Sequence, residues 1–307
     1  MKNNEKVLVI GGSGFVGKAL CKILSENHIQ AINFSNDKEK LIDCENVFGN
    51  IADKNQLESI FKKNSIRCVI NLASLLQSAS IKNPLLACKI GVVGSLNLFD
   101  ICMGYGVNRL IYGSSTALLR PYSDYRKSVD ENAPVHTSSI YEEIKRFVEE
   151  LGLRVSTAHG INFISARISL VVGPGNPSLT SAYRTEMFNK LLSGGEIFIP
   201  FAKRETLPLN HYMDVAESLF LLINAPSLNH SIYNLPCESW RIVDLAERIK
   251  EISPNTIVTF GDLPFSNGAP FVDWGRMRVE LGASIMPLDQ RLLEHKNYLL
   301  QRRKDAN

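Results

Sequence analysis

Short apolar runs alternate with amphipathic segments along the first 170 residues. Runs of apolar and β-branched residues predict strands, and apolar positions that recur every three or four residues predict helices. We expect strands at residues 6–10, 30–34, 68–72, 109–112 and 162–167, and helices between them at residues 17–27, 54–63, 83–105 and 141–152. This alternation predicts an α/β fold of Rossmann type, with a doubly wound parallel sheet covered on both faces.

The pattern changes at the Gly/Pro-rich residues 172–177, which predict a loop and a hinge between domains. Beyond them we expect helices at about residues 183–192, 213–224 and 242–252. The sequence therefore predicts a Rossmann domain at residues 1–172. A smaller C-terminal α/β substrate lobe would follow at residues 173–307, partly interleaved with the first domain. Because open α/β sheets bind ligands at the carboxyl ends of their strands, we expect this lobe to cover the site.

The composition is that of a soluble globular protein. The 307 residues are 45% hydrophobic and 21% charged, with a formal net charge of +3. This near balance gives no sign of binding to nucleic acid or to an anionic membrane. We expect no apolar run near the roughly 18 residues that span a bilayer. The N-terminus shows no signal-peptide pattern, so we expect a cytoplasmic protein.

Cysteines and histidines are scattered along the chain. The histidines show no spacing typical of zinc ligands, and no C-x-x-C pair occurs, so we expect no metal site. In an unexported protein, the cysteines should be reduced and mostly buried. They are Cys21, Cys44, Cys68, Cys88, Cys102 and Cys237.

A glycine-rich segment follows the first predicted strand directly. Residues 11–17 satisfy G-x-x-G-x-x-G, and they stand in the order strand, glycine turn, helix. Glycines let the backbone approach a pyrophosphate, and the first N–H groups of the next helix bind its charge. The segment therefore predicts a dinucleotide site. The expected contact residues in it are Gly11, Gly14, Phe15, Val16 and Gly17.

The end of the second predicted strand bears on the choice between NAD and NADP. NAD sites usually carry a carboxylate there, which binds a ribose hydroxyl. The matching position in this chain is taken to be Phe34, with Asp37 three residues later. Ser35, Asn36 and Lys38 could accommodate a 2′-phosphate, although no arginine is present. We therefore expect NAD or NADP, slightly favour NADP, and place Ser35 and Asn36 at the cofactor.

A tyrosine and a lysine lie four residues apart in the segment SSIYEEIKRF. Tyr141 and Lys145 would share one helix face, and no other tyrosine of the chain has a lysine at this spacing. A nearby ammonium lowers the pKa of a phenol from about 10. The phenol can then exchange a proton with an alcohol or carbonyl during hydride transfer. A solvated helix face is the alternative reading of this pair.

A hydroxyl group completes the candidate catalytic set. The predicted strand at residues 109–112 leads into Ser114 and Ser115, at the carboxyl end where the site should lie. Ser115 can hydrogen-bond the reacting oxygen, and Lys145 can also hold the nicotinamide ribose. We therefore expect Ser115, Tyr141 and Lys145 to be catalytic, with Tyr141 and Lys145 also at the cofactor.

Together these motifs resemble the extended short-chain dehydrogenases/reductases of the NAD-dependent epimerase/dehydratase type. Further segments carry the resemblance nearly end to end, namely VINLAS at residues 69–74, GVVGSLNL at residues 91–98, GVNRLIYGSS at residues 106–115 and HYMDVA at residues 211–216. The resemblance implies that Ser115, Tyr141 and Lys145 form the catalytic trio. It also implies cofactor contacts at Leu72, Ala73 and Ser74, and adenine contacts at Asn50 and Ile51.

The chain departs from the nucleotide-sugar members of this family at three places. Leu170 replaces an asparagine, Leu207-Pro208 replaces an Arg-Asp pair whose arginine binds a diphosphate, and Gly91 replaces the asparagine of the long helix. Arg184, Lys203 or Arg204 could supply the missing cation. Residues 180–190 and 207–210 instead resemble the epimerase-like L-threonine dehydrogenases.

Three functions compete on this basis. The first is an NAD(P)-dependent oxidoreductase, epimerase or dehydratase that acts on a sugar, with nucleotide-linked sugars favoured. The second is a dehydrogenase of a small hydroxy acid or amino acid, whose substrate His136 or His211 could contact. The third, a non-catalytic dinucleotide-binding protein, is disfavoured because the Ser/Tyr/Lys set is complete. The resemblance also implies a homodimer formed through the helices predicted at residues 83–105 and 141–152.

Overall fold

The structure is a computed structural model that describes residues 5–119, 127–175, 181–266 and 268–305. Its strands are β1 (Lys6–Ile10), β2 (Ala31–Ser35), β3 (Glu45–Phe48), β4 (Ile66–Asn71), β5 (Arg109–Ser115), β6 (Asn162–Ile168), β7 (Leu170–Val172), β8 (Gly195–Phe201), β9 (Thr206–His211), β10 (Ile232–Asn234), β11 (Glu238–Arg241) and β12 (Thr256–Leu263). Its helices are α1 (Phe15–Glu26), α2 (Lys54–Lys63), α3 (Gln77–Lys82), α4 (Pro84–Cys88), α5 (Gly94–Gly104), α6 (Ile140–His159), α7 (Tyr183–Asn189), α8 (Tyr212–Asn224), α9 (Ile242–Ile252), α10 (Gly275–Leu281) and α11 (Leu288–Asp305). A π-helical turn (Lys89–Val93) joins α4 to α5, and a 3₁₀ turn (Thr116–Leu118) follows β5.

A seven-stranded parallel sheet forms the centre of the molecule and confirms the predicted Rossmann-type α/β fold. Its strand order is β10-β6-β5-β4-β1-β2-β3. Chain order reverses between β1 and β4, and this switch point is where ligands bind in such sheets. Apolar side chains alternate between the two faces: Val7 and Val9 of β1 enter one core, and Leu8 and Ile10 enter the other.

The C-terminal part of the chain divides between the sheet and a smaller lobe. The lobe contains the β11-β9-β7 sheet, the β12-β8 pair and helices α7, α9 and α11, which share a third apolar core. Three elements beyond residue 172 belong instead to the Rossmann body, because α8 packs on α1, β10 pairs with β6, and α10 packs on α8 and β10. The chain therefore passes several times between the two parts.

The bounds of several elements differ from those expected. The helix that begins near Tyr141 continues to His159, where Gly160 ends it in the left-handed conformation, seven residues beyond the predicted end. The short strand β3 was not predicted, because its four residues carry polar positions and are only partly buried. Tertiary contacts decide the formation of β3, whereas the helix runs past Gly152, which packs against Phe163, to the local stop signal at Gly160.

The helical stretch Pro84–Gly104 corrects one expectation from the sequence. It runs for 21 residues through α4, the π-helical turn and α5, and by length and composition it is apolar enough to cross a membrane. The expectation of no such run was therefore wrong, because the apolar residues are spread over a continuous helix rather than one unbroken run. A helix of a soluble protein's core passes the same test, and 44% of the apolar window is buried here.

Candidate functional site

In the glycine-rich turn after β1, the backbone passes very close to neighbouring backbone segments. Gly11 has a φ of +80°, and a Cβ atom there would lie 3.2 Å from the Ala73 nitrogen. At Gly17 a Cβ atom would lie 2.5 Å from the Gly11 carbonyl oxygen, so only glycine lets α1 begin so near the turn. Gly14 caps α1 without a side-chain hydrogen bond, and no acidic residue stands in the first turn. The turn and the helix end therefore fit a pyrophosphate.

Phe15 connects this cradle to the second lobe. Its ring stacks on that of Tyr212, with centroids 4.8 Å apart. A Cβ atom at Gly173 would lie 2.9 Å from the Phe15 ring, so the turn that leads to the substrate lobe lies directly on Phe15. Val16 packs against the core below. Since both side chains are engaged by the protein, contact with a cofactor would come from their backbone N–H groups.

Ser35 occupies the position at the end of β2 where NAD sites carry a ribose-binding carboxylate. The sequence-based assignment of this position to Phe34 was wrong. Phe34 is 1% exposed and lies in the apolar core, where a Cβ atom at Gly49 would be 2.5 Å from its ring. Because side chains alternate along a strand, Ser35 faces the same side as Asn33, whose Nδ2 donates to Ser13 Oγ in the glycine turn at 3.0 Å. Ser35 Oγ accepts from the Asp37 N–H at 3.1 Å. The cradle face therefore carries a hydroxyl where NAD sites carry a carboxylate.

The segment after β4 runs beside the glycine turn. The Leu72 N–H donates to the Ile10 carbonyl oxygen at 3.0 Å, and the Ala73 N–H donates to Asn71 Oδ1 at 3.1 Å. Ser74 Oγ donates to the Leu75 carbonyl oxygen at 3.2 Å. The predicted contact residues after β4 are therefore placed at the edge of the cradle, next to Gly11.

Asn50 and Ile51 lie at the far end of the cradle, beyond Phe34. Asn36 and Asn50 are exposed there. Ile51 is 5% exposed and packs against Gly94, and its carbonyl oxygen accepts from Asn97 Nδ2 at 3.1 Å. The side chain of Ile51 is thus used by the core. Its backbone and the Asn50 side chain are the groups that an adenine ring could contact.

The structure brings Ser115, Tyr141 and Lys145 together at the carboxyl end of β5. Ser115 Oγ accepts from the Ala117 N–H at 3.1 Å and is close enough to the Tyr141 hydroxyl to lower its pKa. Lys145 Nζ lies 5.5 Å from the centre of the Tyr141 ring and 4.7 Å from that of Tyr112. Ser139 caps α6 by accepting from the Glu142 N–H at 3.3 Å, which fixes the turn that carries Tyr141. The geometry suits proton exchange, and the catalytic roles stay a prediction.

The charge states of this trio differ from the simple expectation. Burial raises the pKa of Tyr141 above its ordinary value of 10, although the hydrogen bond from Ser115 and the charge of Arg184 lower it. Burial also lowers the pKa of Lys145 to about 7. The expected net lowering of the phenol pKa by Lys145 is therefore not seen. Because the Lys145 side chain is already buried, its N–H groups can hydrogen-bond ribose hydroxyls with little further desolvation cost.

Of the three cations considered for an anionic substrate group, Arg184 is the one whose charge acts on Tyr141. Its charge lowers the pKa of Tyr141, and its Nη2 donates to Ser181 Oγ at 2.5 Å. No carboxylate among the described residues forms an ion pair with Arg184. Lys203 Nζ instead lies 5.2 Å over the Phe260 ring, and Arg204 is 82% exposed.

The three departures from the nucleotide-sugar pattern have structural counterparts. Leu207 is completely buried in the core of the smaller lobe, and Leu170 packs against that core, so neither presents a polar group. A Cβ atom at Gly91 would lie 2.4 Å from Ile144 Cγ2, so the close packing of the π-helical turn on α6 excludes any larger residue.

The histidines were weaker candidates for contact with the substrate. His211 is 8% exposed between Phe188 and Tyr212, and burial first, then the charge of Arg291, lowers its pKa to about 3.

Sequence reasoning missed the polar side chains that support the site. Asn33 is a buried polar residue within an otherwise apolar strand, and that break in the pattern is the signal that could have indicated it. Glu149 and Arg167 form a buried ion pair below α6, which no local spacing indicates. Among the described residues, no group of three or more His, Cys, Asp or Glu side chains could hold a metal ion.

Comparisons with known proteins agree with this geometry. The model of the family described as "NAD dependent epimerase/dehydratase family" matches residues 7–235. A putative UDP-glucose 4-epimerase of Methanocaldococcus jannaschii is 26% identical over 224 residues, which cover 71% of this chain and 73% of that protein. UDP-glucuronic acid decarboxylase 6 of Arabidopsis thaliana is 24% identical over 272 residues, which cover 82% of this chain and 75% of that protein.

Two solved structures show the same fold over nearly the whole chain. L-threonine dehydrogenase of Phytophthora infestans has a TM-score of 0.87 at 21% identity and covers 97% of this chain and 100% of that one. UDP-glucose 4-epimerase of Thermotoga maritima has a TM-score of 0.85 at 21% identity, and the match covers 98% of this chain and 100% of that one. From the family match, the cradle and the trio, the chain belongs to the NAD-dependent epimerase/dehydratase family and is an enzyme that uses a nicotinamide dinucleotide.

Proposed function

We propose that this enzyme transfers hydride at a secondary alcohol carbon of a sugar, with a nucleotide-linked sugar as the first candidate substrate. The observation that carries the proposal is the Ser115–Tyr141 hydroxyl pair, set beside Lys145 at the carboxyl end of β5. That end adjoins the glycine cradle across the sheet's switch point. The curated relatives, named as UDP-sugar epimerases, decarboxylases and dehydratases, support a sugar substrate.

Tyr141 transfers the proton, whereas Ser115 and Lys145 position the reacting oxygen and the cofactor. A bound nicotinamide ring supplies the hydride acceptor or donor. Tyr141 removes the proton from the substrate hydroxyl as the phenolate, or returns it to the carbonyl oxygen as the phenol. Ser115 donates a hydrogen bond to the same oxygen as charge develops there. Lys145, which is held by the Gly113 carbonyl oxygen, binds the cofactor ribose.

We propose NADP as the preferred dinucleotide. Ser35 stands on the cradle face where a carboxylate would select NAD, and its hydroxyl neither repels nor excludes a 2′-phosphate. Asn36 and Lys38 follow directly and are exposed. These groups can donate hydrogen bonds to an additional phosphate, and no acid replaces them on that face of β2.

A small hydroxy acid or amino acid is the second candidate substrate. The buried Leu207 and the apolar Leu170 offer nothing to a diphosphate at the positions where nucleotide-sugar members are polar. Arg184 lies near Tyr141, where it could bind a carboxylate close to the reacting carbon. The solved L-threonine dehydrogenases share this fold at full length, which is compatible with such a substrate.

One panel distinguishes the two candidates. Purified enzyme would be incubated with NADP or NAD and, separately, with UDP-glucose, UDP-galactose, UDP-glucuronate, L-threonine and several 3-hydroxy acids. Cofactor reduction is followed by absorbance and sugar conversion by NMR. Turnover of a UDP-sugar supports the first proposal, and NADPH formation with a small acid alone supports the second. Tight cofactor binding without turnover of any compound would count against both.

We further propose a homodimer formed by α4, α5 and α6. Large apolar side chains are exposed on this helical face: Leu85 is 76% exposed, and Val93, Leu96 and Phe147 are each more than 40% exposed. Such a patch on adjacent helices is typical of a surface that is covered in the assembly. Light scattering at micromolar concentration should give a dimer mass, and Leu85→Glu should shift it to the monomer. A monomeric wild-type protein would contradict the proposal.

A further inference from the structure

The buried Lys145 side chain lies over two aromatic rings. Lys145 is 3% exposed, and its Nζ lies 4.7 Å from the centre of the Tyr112 ring and 5.5 Å from that of Tyr141. A cation within about 6 Å of a ring centre is attracted by the negative face of the ring. Nζ also donates to the Gly113 carbonyl oxygen at 2.6 Å. Tyr112 is therefore a direct neighbour of Lys145, although the Ser115, Tyr141 and Lys145 trio does not include it.

No carboxylate forms an ion pair with Lys145 among the residues that the structure describes. Glu142, one turn earlier in α6, accepts hydrogen bonds from the N–H and the hydroxyl of Ser138. Glu149, one turn later, is paired with Arg167 of β6. The other helical elements packed on α6 carry their charges at the surface, on Lys82, Lys89 and Asp100. The ring faces and the Gly113 carbonyl oxygen therefore take the place of an anion.

Tyr112 acts on Lys145 through its ring and not through a charge. Burial raises the pKa of Tyr112 well above its ordinary value of 10, and the neighbouring Tyr141 and Glu149 raise it further. Its phenol therefore stays neutral in the pH range in which Lys145 titrates. Burial also raises the pKa of Tyr141, against the charge of Arg184. Because the face of the Tyr112 ring makes the contact, its hydroxyl should be dispensable.

Packing between the sheet and α6 fixes the Tyr112 ring. Tyr112 is 2% exposed, and its ring stacks on that of Phe163 in β6, with centroids 6.5 Å apart. Phe163 in turn lies directly on α6 at Gly152, where a Cβ atom would be 2.3 Å from the Phe163 ring. The Tyr112 ring is therefore a rigid surface beside the ammonium, held by a strand neighbour and by the helix that carries Lys145.

We propose that Tyr112 is a positioning residue of the cofactor site: the face of its ring holds the Lys145 ammonium at the carboxyl end of β5, with N–H groups left for the nicotinamide ribose. This inference rests on the proposed role of Lys145 in binding that ribose. An ammonium has three donors, and Gly113 uses one of them. The ring attracts the charge without accepting a hydrogen bond at an oxygen atom, whereas a carboxylate in its place would compete with the ribose for the remaining donors.

Fluorination at position 112 separates the charge distribution of the ring from its shape. Tyr112→Phe keeps the negative ring face, whereas Tyr112→pentafluorophenylalanine nearly keeps the volume and removes the attraction for a cation. The titration of Lys145 would be followed by carbon NMR of protein labelled at the lysine Cε, with its signal assigned from Lys145→Met. Tyr112→Phe should titrate as wild type. In the fluorinated variant the acid dissociation constant of Lys145 should rise about threefold to tenfold, because only the ammonium loses a favourable contact.

Phe99 provides the matched control for this substitution. It is buried in the same core cluster as Tyr112, and among the described residues the rings under the Lys145 ammonium are those of Tyr112 and Tyr141. Phe99→pentafluorophenylalanine therefore changes the core in the same way and should leave the titration of Lys145 unchanged. Equal titration of Lys145 in the two Tyr112 variants would overturn the proposal, and so would an equal displacement from positions 99 and 112.

Fluorescence titration with NADPH tests the consequence at the cofactor. An ammonium donates stronger hydrogen bonds than a neutral amine, so the fluorinated Tyr112 variant should bind NADPH with a Kd about twofold to fivefold above that of Tyr112→Phe at pH 7. The difference should shrink at about pH 5.5, where Lys145 is mostly protonated in both variants. If Lys145→Met raises the Kd and the fluorinated variant does not, the inference about Tyr112 is wrong. If Lys145→Met leaves the Kd unchanged, the proposed role of Lys145 at the ribose is wrong, and the positioning role of Tyr112 falls with it.

Discussion

Lys145 Nζ donates to the Gly113 carbonyl oxygen at 2.6 Å. Gly113 lies in β5, two residues before Ser115, so this single hydrogen bond fixes α6 to the end of the strand that carries Ser115. Lys145 is 3% exposed, and it has no ion pair among the described residues. Its burial lowers its pKa to about 7, which makes it a titratable group near neutral pH.

Lys145 should make the stability of the cofactor-free protein depend on pH. Its pKa is about 7 in the folded state and near its ordinary 10.5 in the unfolded chain. Between these values the unfolded chain binds the proton and the folded protein does not, so the free energy of unfolding rises as pH rises from 7 to 10.5. Lys145→Met removes this contribution. Urea unfolding should show the Met variant gaining most, relative to wild type, at pH 7 and progressively less towards pH 10. A difference that stays constant with pH would contradict the buried, near-neutral lysine.

Arg184 should lower the pKa of Tyr141 and bind an anionic substrate group. Because its charge lowers the pKa of Tyr141, which must be deprotonated to accept the proton, Arg184→Gln should move the ascending limb of the pH–rate profile for alcohol oxidation to higher pH. A lost charge-assisted hydrogen bond of about 1.5–3 kcal/mol should also raise KM about tenfold or more. Steady-state kinetics from pH 6 to pH 10 would measure both effects.

The control for Arg184 is Arg204→Gln, which removes an exposed charge of the same type. It should leave the profile and KM unchanged, and Arg184→Lys should restore part of the pH shift. If Arg184→Gln and Arg204→Gln behaved alike, the assignment of Arg184 to the site would be wrong.

Ser35 should set the choice of dinucleotide. An aspartate there would accept a hydrogen bond from a ribose 2′-hydroxyl and repel a 2′-phosphate, so Ser35→Asp should change the Kd ratio of NADPH to NADH by about tenfold or more in favour of NADH. Ser35→Ala is the matched control and should leave the ratio within about twofold. Fluorescence titration measures all four constants. An unchanged ratio in Ser35→Asp would show that Ser35 does not face the ribose.

The adjacent residues Glu149 and Glu150 offer a sharp comparison of buried and exposed charge. Glu149 pairs with Arg167, and both side chains are at most 5% exposed, while Glu150 is 55% exposed and lies 3.4 Å from Arg146. Glu149→Gln leaves a buried guanidinium without its anion and should lower the free energy of unfolding by about 3–5 kcal/mol. Glu150→Gln should change it by about 0–1 kcal/mol. Chemical denaturation of both variants tests this, and similar values for the two would refute the buried pair.

The sequence was informative wherever local rules determine the structure. A strand, a glycine turn and a helix in direct succession identify the cradle, because Gly11 and Gly17 meet steric demands that other residues cannot. The spacing of Tyr141 and Lys145 likewise places both on one helix face. The central sheet followed from the alternation of apolar and amphipathic segments.

Features that depend on tertiary contacts or on exact register could not be predicted in this way. Shifting the assumed end of β2 by one residue exchanges Phe34 and Ser35 between faces, which is why the acid position was misplaced. Arg184 acts on Tyr141 although the two residues are 43 positions apart in sequence and lie in different lobes. Rules based on local sequence spacing cannot predict such a contact. The raised pKa of Tyr141 follows from burial, which outweighs the lowering by Ser115 and Arg184.

The central claim, that Tyr141 exchanges the proton during hydride transfer, is tested most directly by comparing Tyr141→Phe with wild type. The measurement is kcat at saturating dinucleotide with the substrate found in the panel, together with the Kd for NADPH. Tyr105→Phe is the control, since Tyr105 is 41% exposed and its hydroxyl donates to Glu58 at the surface. We predict that Tyr141→Phe loses about 10²–10⁴-fold in kcat with Kd nearly unchanged, while Tyr105→Phe behaves as wild type. Full kcat in Tyr141→Phe would contradict the account.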